Sequence, residues 1–220
     1  MISVLIVDDQ QLVRAGVRML CESTEDLAVA GEAANGSEAV RLAELARPDV
    51  VLMDLHMPGT DGTTATREIL RLLPATRVVV LTTFDDDDRL YPALEAGACG
   101  FLAKDVAPAA VLDAVRRAAA GDSPYSPTVL HRVVARAAHA WQTRPDRRPA
   151  ATRLTDREEE VLRLIAAGLS NHEIADRMHI GLTTVKTHVS NLMTKTDTTN
   201  RVRLAVLAIQ AGLGETWGER

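Results

Sequence analysis

The sequence has few aromatic residues, few cysteines and no long apolar run. Aromatic residues make up 3% of the 220 residues, so a core must be built from Leu, Val, Ile and Ala. Neither Cys21 nor Cys99 has the spacing of a metal ligand, which favours two reduced, partly buried thiols. No apolar stretch approaches the roughly 20 residues that span a bilayer, and the run from Met1 to Val7 is too short for a signal peptide. We therefore expect a cytoplasmic protein that does not associate with a membrane.

Charge is distributed unevenly along the chain, whose net charge is −5. Residues 1–122 carry 20 acidic and 11 basic groups, a net charge of −9. Residues 123–220 carry 10 acidic and 14 basic groups, a net charge of +4. This asymmetry indicates that only the C-terminal half binds a polyanion.

The first half alternates short apolar segments with amphipathic ones. We predict strands at 2–7, 27–30, 50–53, 78–81 and 99–102, and helices at 10–22, 36–47, 60–72, 87–96 and 107–120. Strands that are apolar throughout and alternate with helices indicate a parallel sheet covered on both faces. The predicted fold of residues 1–120 is therefore α/β, a doubly wound five-stranded parallel sheet.

The rest of the chain contains no strand pattern. Four prolines mark residues 121–151 as a linker, with a helical segment around 128–141. Residues 152–214 form a second, smaller all-α domain with predicted helices at 156–167, 171–178, 182–195 and 200–211. Thr155 and Glu158 match a capping box at the start of the first of these helices. Only residues 179–181 separate the second helix from the third, which indicates a helix-turn-helix.

Polar residues follow four of the predicted strands in the first half. They are Asp8 and Asp9 after the first strand, Asp54 after the third, Thr82 after the fourth and Lys104 after the fifth. The carboxyl ends of parallel strands lie at one edge of a sheet, so these residues should converge there. Three carboxylates in one crevice repel one another unless a cation neutralises them, and an all-oxygen ligand set favours Mg²⁺.

A carboxylate nucleophile beside a divalent ion, a lysine and a hydroxyl is typical of a phosphoryl-transfer site. Asp54 is the predicted nucleophile because it stands alone at the end of the central strand, whereas Asp8 and Asp9 can hold the metal. A single aspartate after a strand is more often a helix cap. The acidic run at residues 85–88 could form a second metal site, but a solvated loop that caps the following helix is the favoured interpretation.

The motifs of the first half resemble the CheY-like receiver domains of response regulators. The motifs are Val7-Asp8-Asp9, the stretch from Met53 to Gly62, Leu81-Thr82-Thr83-Phe84, and the stretch from Gly100 to Lys104. The resemblance implies that Asp54 accepts a phosphoryl group from a sensor histidine kinase, and that Lys104 pairs with the phosphate. It implies a Mg²⁺ site formed by Asp8, Asp9, Asp54 and the backbone carbonyl of His56.

The same resemblance makes Thr82 and Phe101 a switch pair, in which the aromatic ring turns inward when Thr82 binds the phosphoryl group. His56 stands where many relatives carry Arg or another polar residue. This departure bears on the rate of dephosphorylation and leaves phosphorylation itself unaffected.

The second half is similar to the LuxR-type helix-turn-helix, and the whole chain resembles the NarL/FixJ subfamily of response regulators. The motifs that carry this resemblance are Leu154 to Glu158, Ala167 to Asn171, Glu173-Ile174-Ala175 and Thr184 to Val189. In the third helix of this domain, an apolar stripe leaves small polar side chains and a lysine on the other face, where they suit phosphates and base edges. The implied DNA contacts are Thr184, Lys186, Thr187, Ser190 and Asn191, with Lys195 on a phosphate.

Two residues of this half depart from the family pattern. Thr196 replaces an apolar Leu, which could leave a half-buried hydroxyl unpaired unless it bonds to a preceding carbonyl. Gly181 replaces the usual capping Ser and should cost a few tenths of a kcal/mol. The apolar strip Val202, Ala205, Val206 and Ile209 of the last helix fits either a dimer contact or the core.

The expected function is a DNA-binding transcriptional regulator that is not an enzyme. Phosphorylation would promote a homodimer or expose the third helix, and a two-fold dimer favours an inverted-repeat promoter site. RNA polymerase is a further candidate partner. An aspartate-dependent phosphatase is the first alternative, but it would need a substrate cap for which the chain has no insertion. A regulator whose helix-turn-helix binds no DNA is the second.

Overall fold

The computed structural model describes residues 1–82, 87–125, 154–198 and 200–213. The chain divides into two compact units, Met1–Val129 and Leu130–Arg220, which we call the N-terminal and C-terminal units. The predicted helical segment at 128–141 lies outside the described residues. Within the described part of the chain, no helix is both long enough and apolar enough to cross a bilayer.

The N-terminal unit alternates strands and helices. Its elements are β1 Ile2–Val7, α1 Gln11–Glu22, β2 Leu27–Ala33, α2 Gly36–Ala46, β3 Val50–Asp54, α3 Gly62–Leu72, β4 Arg77–Thr82, α4 Asp87–Glu95, β5 Gly100–Ala103 and α5 Pro108–Ala119. The five strands form one parallel sheet in the order β2-β1-β3-β4-β5. The predicted doubly wound α/β fold is confirmed, and β3 is its central strand.

Successive strand residues point to opposite faces of the sheet, and this alternation forms two cores. On one face, strand residues such as Ile6 and Leu52 pack with Val17 and Cys21 of α1 and with Val115 of α5. On the other face, strand residues such as Leu5, Val51 and Met53 pack with side chains of α2 and α3 that include Ala39 and Ile69. Both faces are therefore covered, which explains why the strands are largely apolar.

The C-terminal unit contains four described helices: α6 Asp156–Ala166, α7 Asn171–Met178, α8 Leu182–Thr196 and α9 Arg201–Gln210. Thr155 and Ser170 each form a capping box, and the Asn200 side chain caps α9. α7 ends at His179, whose left-handed backbone (φ 54°) turns the chain into α8. The predicted all-α unit with a tight turn between its second and third helices is therefore present.

The structure refines two predictions, one about the end of β2 and one about the apolar strip of α9. β2 reaches Ala33, three residues beyond the predicted end, because Gly31, Glu32 and Ala33 continue the ladder with β1. In α9, Val202, Ala205 and Val206 are buried within the C-terminal unit, and only Ile209 of the predicted strip is half-buried. Core packing therefore accounts for most of that strip.

Candidate functional site

Three carboxylates meet at the carboxyl edge of the sheet. Asp8 and Asp9 follow β1, Asp54 ends β3, and each offers one oxygen such that the three oxygens lie within 4.8 Å of one another. Asp8 and Asp54 are each only 1% exposed, whereas Asp9 is exposed. The sequence prediction that these residues converge agrees with this geometry, which follows from the parallel strand order.

Lys104 lies between the two buried carboxylates. Its ammonium is 2.7 Å from Asp8 Oδ2 and 3.1 Å from Asp54 Oδ2, and its side chain is 15% exposed. Burial disfavours the charged lysine, but the hydrogen bond to Asp8 and the attraction of Asp54 outweigh it and raise the pKa of Lys104. The lysine therefore remains a cation at neutral pH.

The charges in this cluster do not balance. Burial raises the pKa of Asp54, and the nearby Asp8 charge raises it further, although Lys104 and the backbone N–H of His56 oppose the shift. Three carboxylates face one ammonium, so a further cation would relieve the repulsion between them. Oxygen donors alone make up this set, as hard divalent cations require, and the residues therefore fit such an ion.

The loop between β1 and α1 is held by several hydrogen bonds. Asp8 Oδ1 accepts a hydrogen bond from the Gln10 backbone N–H at 2.9 Å. The Arg14 guanidinium donates to the backbone carbonyls of Asp8 at 2.7 Å and Asp9 at 3.2 Å. Sequence analysis gave Arg14 no role, and no local signal in the sequence marks it, because its partners are backbone atoms.

Gly62 allows the first turn of α3 to approach the end of β3. A Cβ atom at this position would lie 2.0 Å from the backbone oxygen of Asp54, a distance that no side chain can adopt. The Asp61 side chain caps α3 by accepting a hydrogen bond from the Thr64 N–H. Any larger residue at position 62 would therefore displace Asp54, a role that sequence analysis missed.

The predicted switch residues lie on β4 and β5, the two strands on one side of β3. Thr82 is the last residue of β4 and pairs in register with Ala103 of β5, but its side chain lies outside the described part of the structure. Phe101 of β5 is fully buried, and its ring stacks on Tyr125 with centroids 5.9 Å apart. In the acidic run 85–88, residues 85 and 86 lie outside the described residues, and only the backbone of residues 87 and 88 is described, at the start of α4.

The third helix of the C-terminal unit, α8, has distinct buried and polar faces. Val185, Val189 and Leu192 are buried against the other helices. Thr184, Thr187, Ser190 and Asn191 are exposed, and Lys186 is half-buried. The predicted DNA-contacting residues therefore share an accessible surface, which we call the α8 polar face, and its small polar groups suit phosphates and base edges.

Lys195, the sixth predicted DNA contact, forms an ion pair within the C-terminal unit. Its ammonium lies 2.7 Å from Oε2 of Glu158, a residue that is only 4% exposed. The same carboxylate oxygen accepts the Thr155 backbone N–H at 2.9 Å and so closes the capping box of α6. The hydrogen bond from Lys195, followed by that from Thr155, lowers the pKa of Glu158. This ion pair joins the end of α8 to the start of α6.

Two further polar contacts stabilise the C-terminal unit. The buried Arg201 guanidinium donates to Oδ1 of Asn171 at 2.6 Å and to the carbonyl of Leu169, and so joins the start of α9 to the start of α7. The hydroxyl of Thr196 donates to the Leu192 carbonyl at 2.6 Å, which satisfies the half-buried group that departs from the family pattern. Gly181 precedes α8 without a side-chain cap, as its residue type requires.

Two family models match the chain. The response regulator receiver domain matches residues 4–116, and the bacterial regulatory proteins of the luxR family match residues 152–208. The transcriptional regulatory protein LiaR of Bacillus subtilis is 43% identical over 208 residues, which are 94% of this chain and 97% of that protein.

Two solved structures are also similar to this chain. The response regulator ChrA of a heme-sensing two-component system is 36% identical, with a TM-score of 0.52, over 96% of this chain and 98% of that chain. A structure described as two RcsB dimers bound to two parallel DNAs is 25% identical, with a TM-score of 0.55, over 95% of this chain and 98% of that chain.

Proposed function

Because the chain belongs to the response regulators that combine a receiver domain with a LuxR-type DNA-binding domain, we propose that phosphorylation of Asp54 controls its binding to a promoter. The protein is a DNA-binding transcriptional regulator and not an enzyme, so the phosphatase alternative is set aside. Its receiver implies a kinase partner, and we propose a sensor histidine kinase. The observation that carries the proposal is the buried Asp54 at the end of the central strand, beside Asp8, Asp9 and Lys104.

In the proposed reaction a carboxylate oxygen of Asp54 attacks the phosphorus of the donor. An acyl phosphate forms on Asp54, and the bond between phosphorus and the donor breaks with its electron pair leaving on the donor. Lys104 already contacts Asp54, so its ammonium can pair with the new phosphoryl oxygens and balance their charge. The backbone N–H of His56, which donates to the Asp54 carboxylate, orients the nucleophile.

Asp8, Asp9, Asp54 and the backbone carbonyl of His56 are the proposed ligands of Mg²⁺. When bound, this ion would neutralise the clustered carboxylates and the charge on the phosphoryl oxygens. Asp8 and Asp54 are buried and face one lysine, which leaves the excess negative charge that such an ion needs.

Phosphorylation must favour one of two receiver states if it is to change DNA binding. We propose Thr82 and Phe101 as the residues that move, with Thr82 contacting the phosphoryl group. The new state would promote a homodimer or expose the α8 polar face. Coupling of this kind is typically about 1–3 kcal/mol, a change of roughly 5- to 150-fold in affinity.

The α8 polar face is the proposed DNA-reading surface. Thr184, Lys186, Thr187, Ser190 and Asn191 would contact base edges and phosphates in the major groove, and a two-fold dimer would select an inverted repeat. Lys195 stays a candidate phosphate contact, although its ion pair with Glu158 favours a role in positioning α8.

The proposed domains are a receiver at 1–120, a linker at 121–151 and a DNA-binding domain at 152–214. A cytoplasmic location follows from this function, because the promoter and the phosphorylated histidine of the kinase are reached from the cytoplasm. RNA polymerase stays a candidate partner at the promoter.

Phosphorylation is tested with acetyl phosphate and Mg²⁺ on the full chain. Wild-type protein should gain the mass of one phosphoryl group, and Asp54→Asn should gain none because it lacks the nucleophile. Asp61→Asn is the matched control, since Asp61 caps α3 next to the site and should leave phosphorylation intact. Equal phosphorylation of Asp54→Asn and wild type, measured by intact-protein mass spectrometry, would refute the assignment.

DNA control is tested by titrating genomic promoter fragments at fixed salt with phosphorylated and unmodified protein, and by sedimentation of both forms. Affinity should rise on phosphorylation, and a parallel rise in mass would identify the dimer route. A rise in affinity at constant mass would identify exposure of the α8 polar face. Identical affinity in both forms would refute the coupling.

A further inference from the structure

The Arg14 side chain binds the backbone of the loop that carries two of the clustered carboxylates. Arg14 lies in α1, and its Nη1 donates to the carbonyl of Asp8 at 2.7 Å and to that of Asp9 at 3.2 Å. Its side chain is largely buried. One guanidinium therefore fixes the positions of two successive peptide groups.

The two carboxylates of this loop depend on the backbone to different degrees. The carboxylate of Asp8 is held directly, by the Gln10 N–H on Oδ1 and by Lys104 on Oδ2. Asp9 is exposed, so the direction in which its carboxylate points is set mainly by the peptide groups on either side of it. Arg14 binds the carbonyls of Asp8 and Asp9, which belong to these two peptide groups, so it influences the orientation of the Asp9 carboxylate most directly.

Glu32 of β2 forms an ion pair with the guanidinium of Arg14. Arg14 Nε lies 3.5 Å from Glu32 Oε2, and Arg18, one turn further along α1, lies 2.5 Å from Glu32 Oε1. The two arginines thus share one carboxylate partner, but the Arg14 guanidinium donates to carbonyls of the loop, whereas that of Arg18 donates to Glu32 and Glu22. Arg18 is therefore a natural control for Arg14.

We propose that Arg14 is a positioning residue for the divalent-cation site, which it shapes by fixing the loop of Asp8 and Asp9. The inference rests on the proposed function, which assigns a cation to this cluster. Electrostatics alone predicts the opposite role, because a positive guanidinium close to the cluster repels an incoming cation. If Arg14 acts by positioning, its removal should weaken Mg²⁺ binding. If it acts only through its charge, its removal should strengthen Mg²⁺ binding.

The test compares Arg14→Gln with Arg18→Gln in the full chain. Both variants remove one positive charge and one partner of Glu32, but only the first releases the carbonyls of Asp8 and Asp9. We expect the Kd for Mg²⁺ to rise about 10-fold in Arg14→Gln, as is typical when a residue that orients metal ligands is lost. Arg18→Gln should bind Mg²⁺ as wild type does or slightly more tightly.

The measurement is an NMR titration of backbone amides with MgCl₂, which reports affinity independently of phosphorylation and shows whether each variant is folded. Arg14→Lys keeps the charge without the guanidinium fork, so it should bind Mg²⁺ with an affinity between those of wild type and Arg14→Gln. If Arg14→Gln does not fold, Arg14→Lys takes its place. Weaker Mg²⁺ binding by Arg14→Lys than by wild type would then support the proposal, and equal binding would overturn it.

Each outcome bears on the proposal. Unchanged or tighter Mg²⁺ binding by Arg14→Gln would overturn it, as would equal weakening in Arg14→Gln and Arg18→Gln. Wild-type protein that fails to bind Mg²⁺ would overturn both this inference and the metal site of the proposed function. Wild-type binding together with an unaffected Arg14→Gln would overturn the inference alone.

Discussion

Each of the two units of this protein contains buried carboxylates, and Asp54 of the N-terminal unit differs from Glu158 of the C-terminal unit in what surrounds it. Asp54 is 1% exposed and Glu158 is 4% exposed. The pKa of Asp54 is raised, because burial and the Asp8 charge outweigh its shared lysine. The pKa of Glu158 is lowered, because Lys195 and the Thr155 backbone N–H donate to it. Burial is the largest cause of the shift at Asp54, whereas the hydrogen bond from Lys195 is the largest cause at Glu158.

This difference separates a functional site from a structural contact. In the N-terminal unit, three clustered carboxylates share one lysine, and the excess charge is suited to a cation and a phosphoryl group. In the C-terminal unit, the buried Glu158 carboxylate is paired with Lys195, and the residues proposed to bind DNA are on the surface of α8. A buried carboxylate therefore indicates function in this chain where it shares its cation with other carboxylates.

The contrast is tested first by removing each charge. Glu158→Gln should lower the free energy of unfolding of the C-terminal unit by about 1–3 kcal/mol, because a charged hydrogen bond with Lys195 is lost. Asp54→Asn should raise the free energy of unfolding of the N-terminal unit, because it removes a buried negative charge that lies next to the negative charge of Asp8. Calorimetry of the full chain measures both transitions. A loss of stability in both variants would remove the distinction between the two carboxylates.

The dependence of stability on pH should also differ. Glu158 has a pKa below its unfolded value of 4.5, so its contribution is present above that pH and is lost as the pH falls through the folded pKa. The difference in unfolding free energy between wild type and Glu158→Gln should thus shrink as the pH falls below 4.5 and through the folded pKa.

Asp54 should behave in the opposite way to Glu158. Its pKa lies above the unfolded value of 3.8, so its favourable contribution is present below that pH and is lost as the pH rises through the folded pKa. Denaturant unfolding at each pH measures both trends, with Asp54→Asn and Glu158→Gln as references. A difference between wild type and Glu158→Gln that stays constant with pH would contradict the lowered pKa.

Two lysines of α8 have different proposed roles, since Lys186 is assigned to DNA and Lys195 pairs with Glu158. Lys186→Ala should weaken binding by about 1–3 kcal/mol and relax specificity at one position if Lys186 reads a base. If it touches only phosphate, the salt slope should fall by about one. Lys195→Ala should leave the slope unchanged and lower the stability of the C-terminal unit, because its ammonium pairs with Glu158.

Fluorescence-anisotropy titrations over a range of salt concentrations, with unfolding measured in parallel, distinguish the two lysines. A fall of about one in the salt slope for Lys195→Ala, at unchanged stability, would instead support its assignment as a phosphate contact. Unchanged affinity and slope for Lys186→Ala would argue against the α8 polar face as the DNA-reading surface.

The smallest effect is expected at the start of α8. Gly181 has extended backbone angles, and a Cβ there would meet nothing closer than Thr184 Oγ1 at 3.8 Å. Gly181→Ser should therefore add a capping hydroxyl and stabilise the C-terminal unit by a few tenths of a kcal/mol. Gly181→Ala lacks the hydroxyl and should be less stable than wild type, and thermal unfolding compares the three. Equal stability of the Ser and Ala variants would show that no cap forms.

Most of the fold could be predicted from local patterns. Apolar segments that alternate with amphipathic ones indicated five strands and a doubly wound sheet, and capping residues located the helices of the C-terminal unit within a residue or two. β2 was predicted too short, because Gly31 and Glu32 are not typical strand residues. Glu32 is accommodated there because Arg14 and Arg18 of α1 reach its carboxylate.

The acidic cluster could be predicted from the order of residues along the chain, since parallel strands bring their carboxyl ends to one edge. The contacts of Lys195 with Glu158 and of Arg14 with the loop could not. Lys195 and Glu158 are 37 residues apart, and Arg14 binds backbone oxygens that carry no sequence signature. Pattern and spacing reveal which residue types share a helix face or a sheet edge, whereas the partner of each buried charge depends on how distant segments pack.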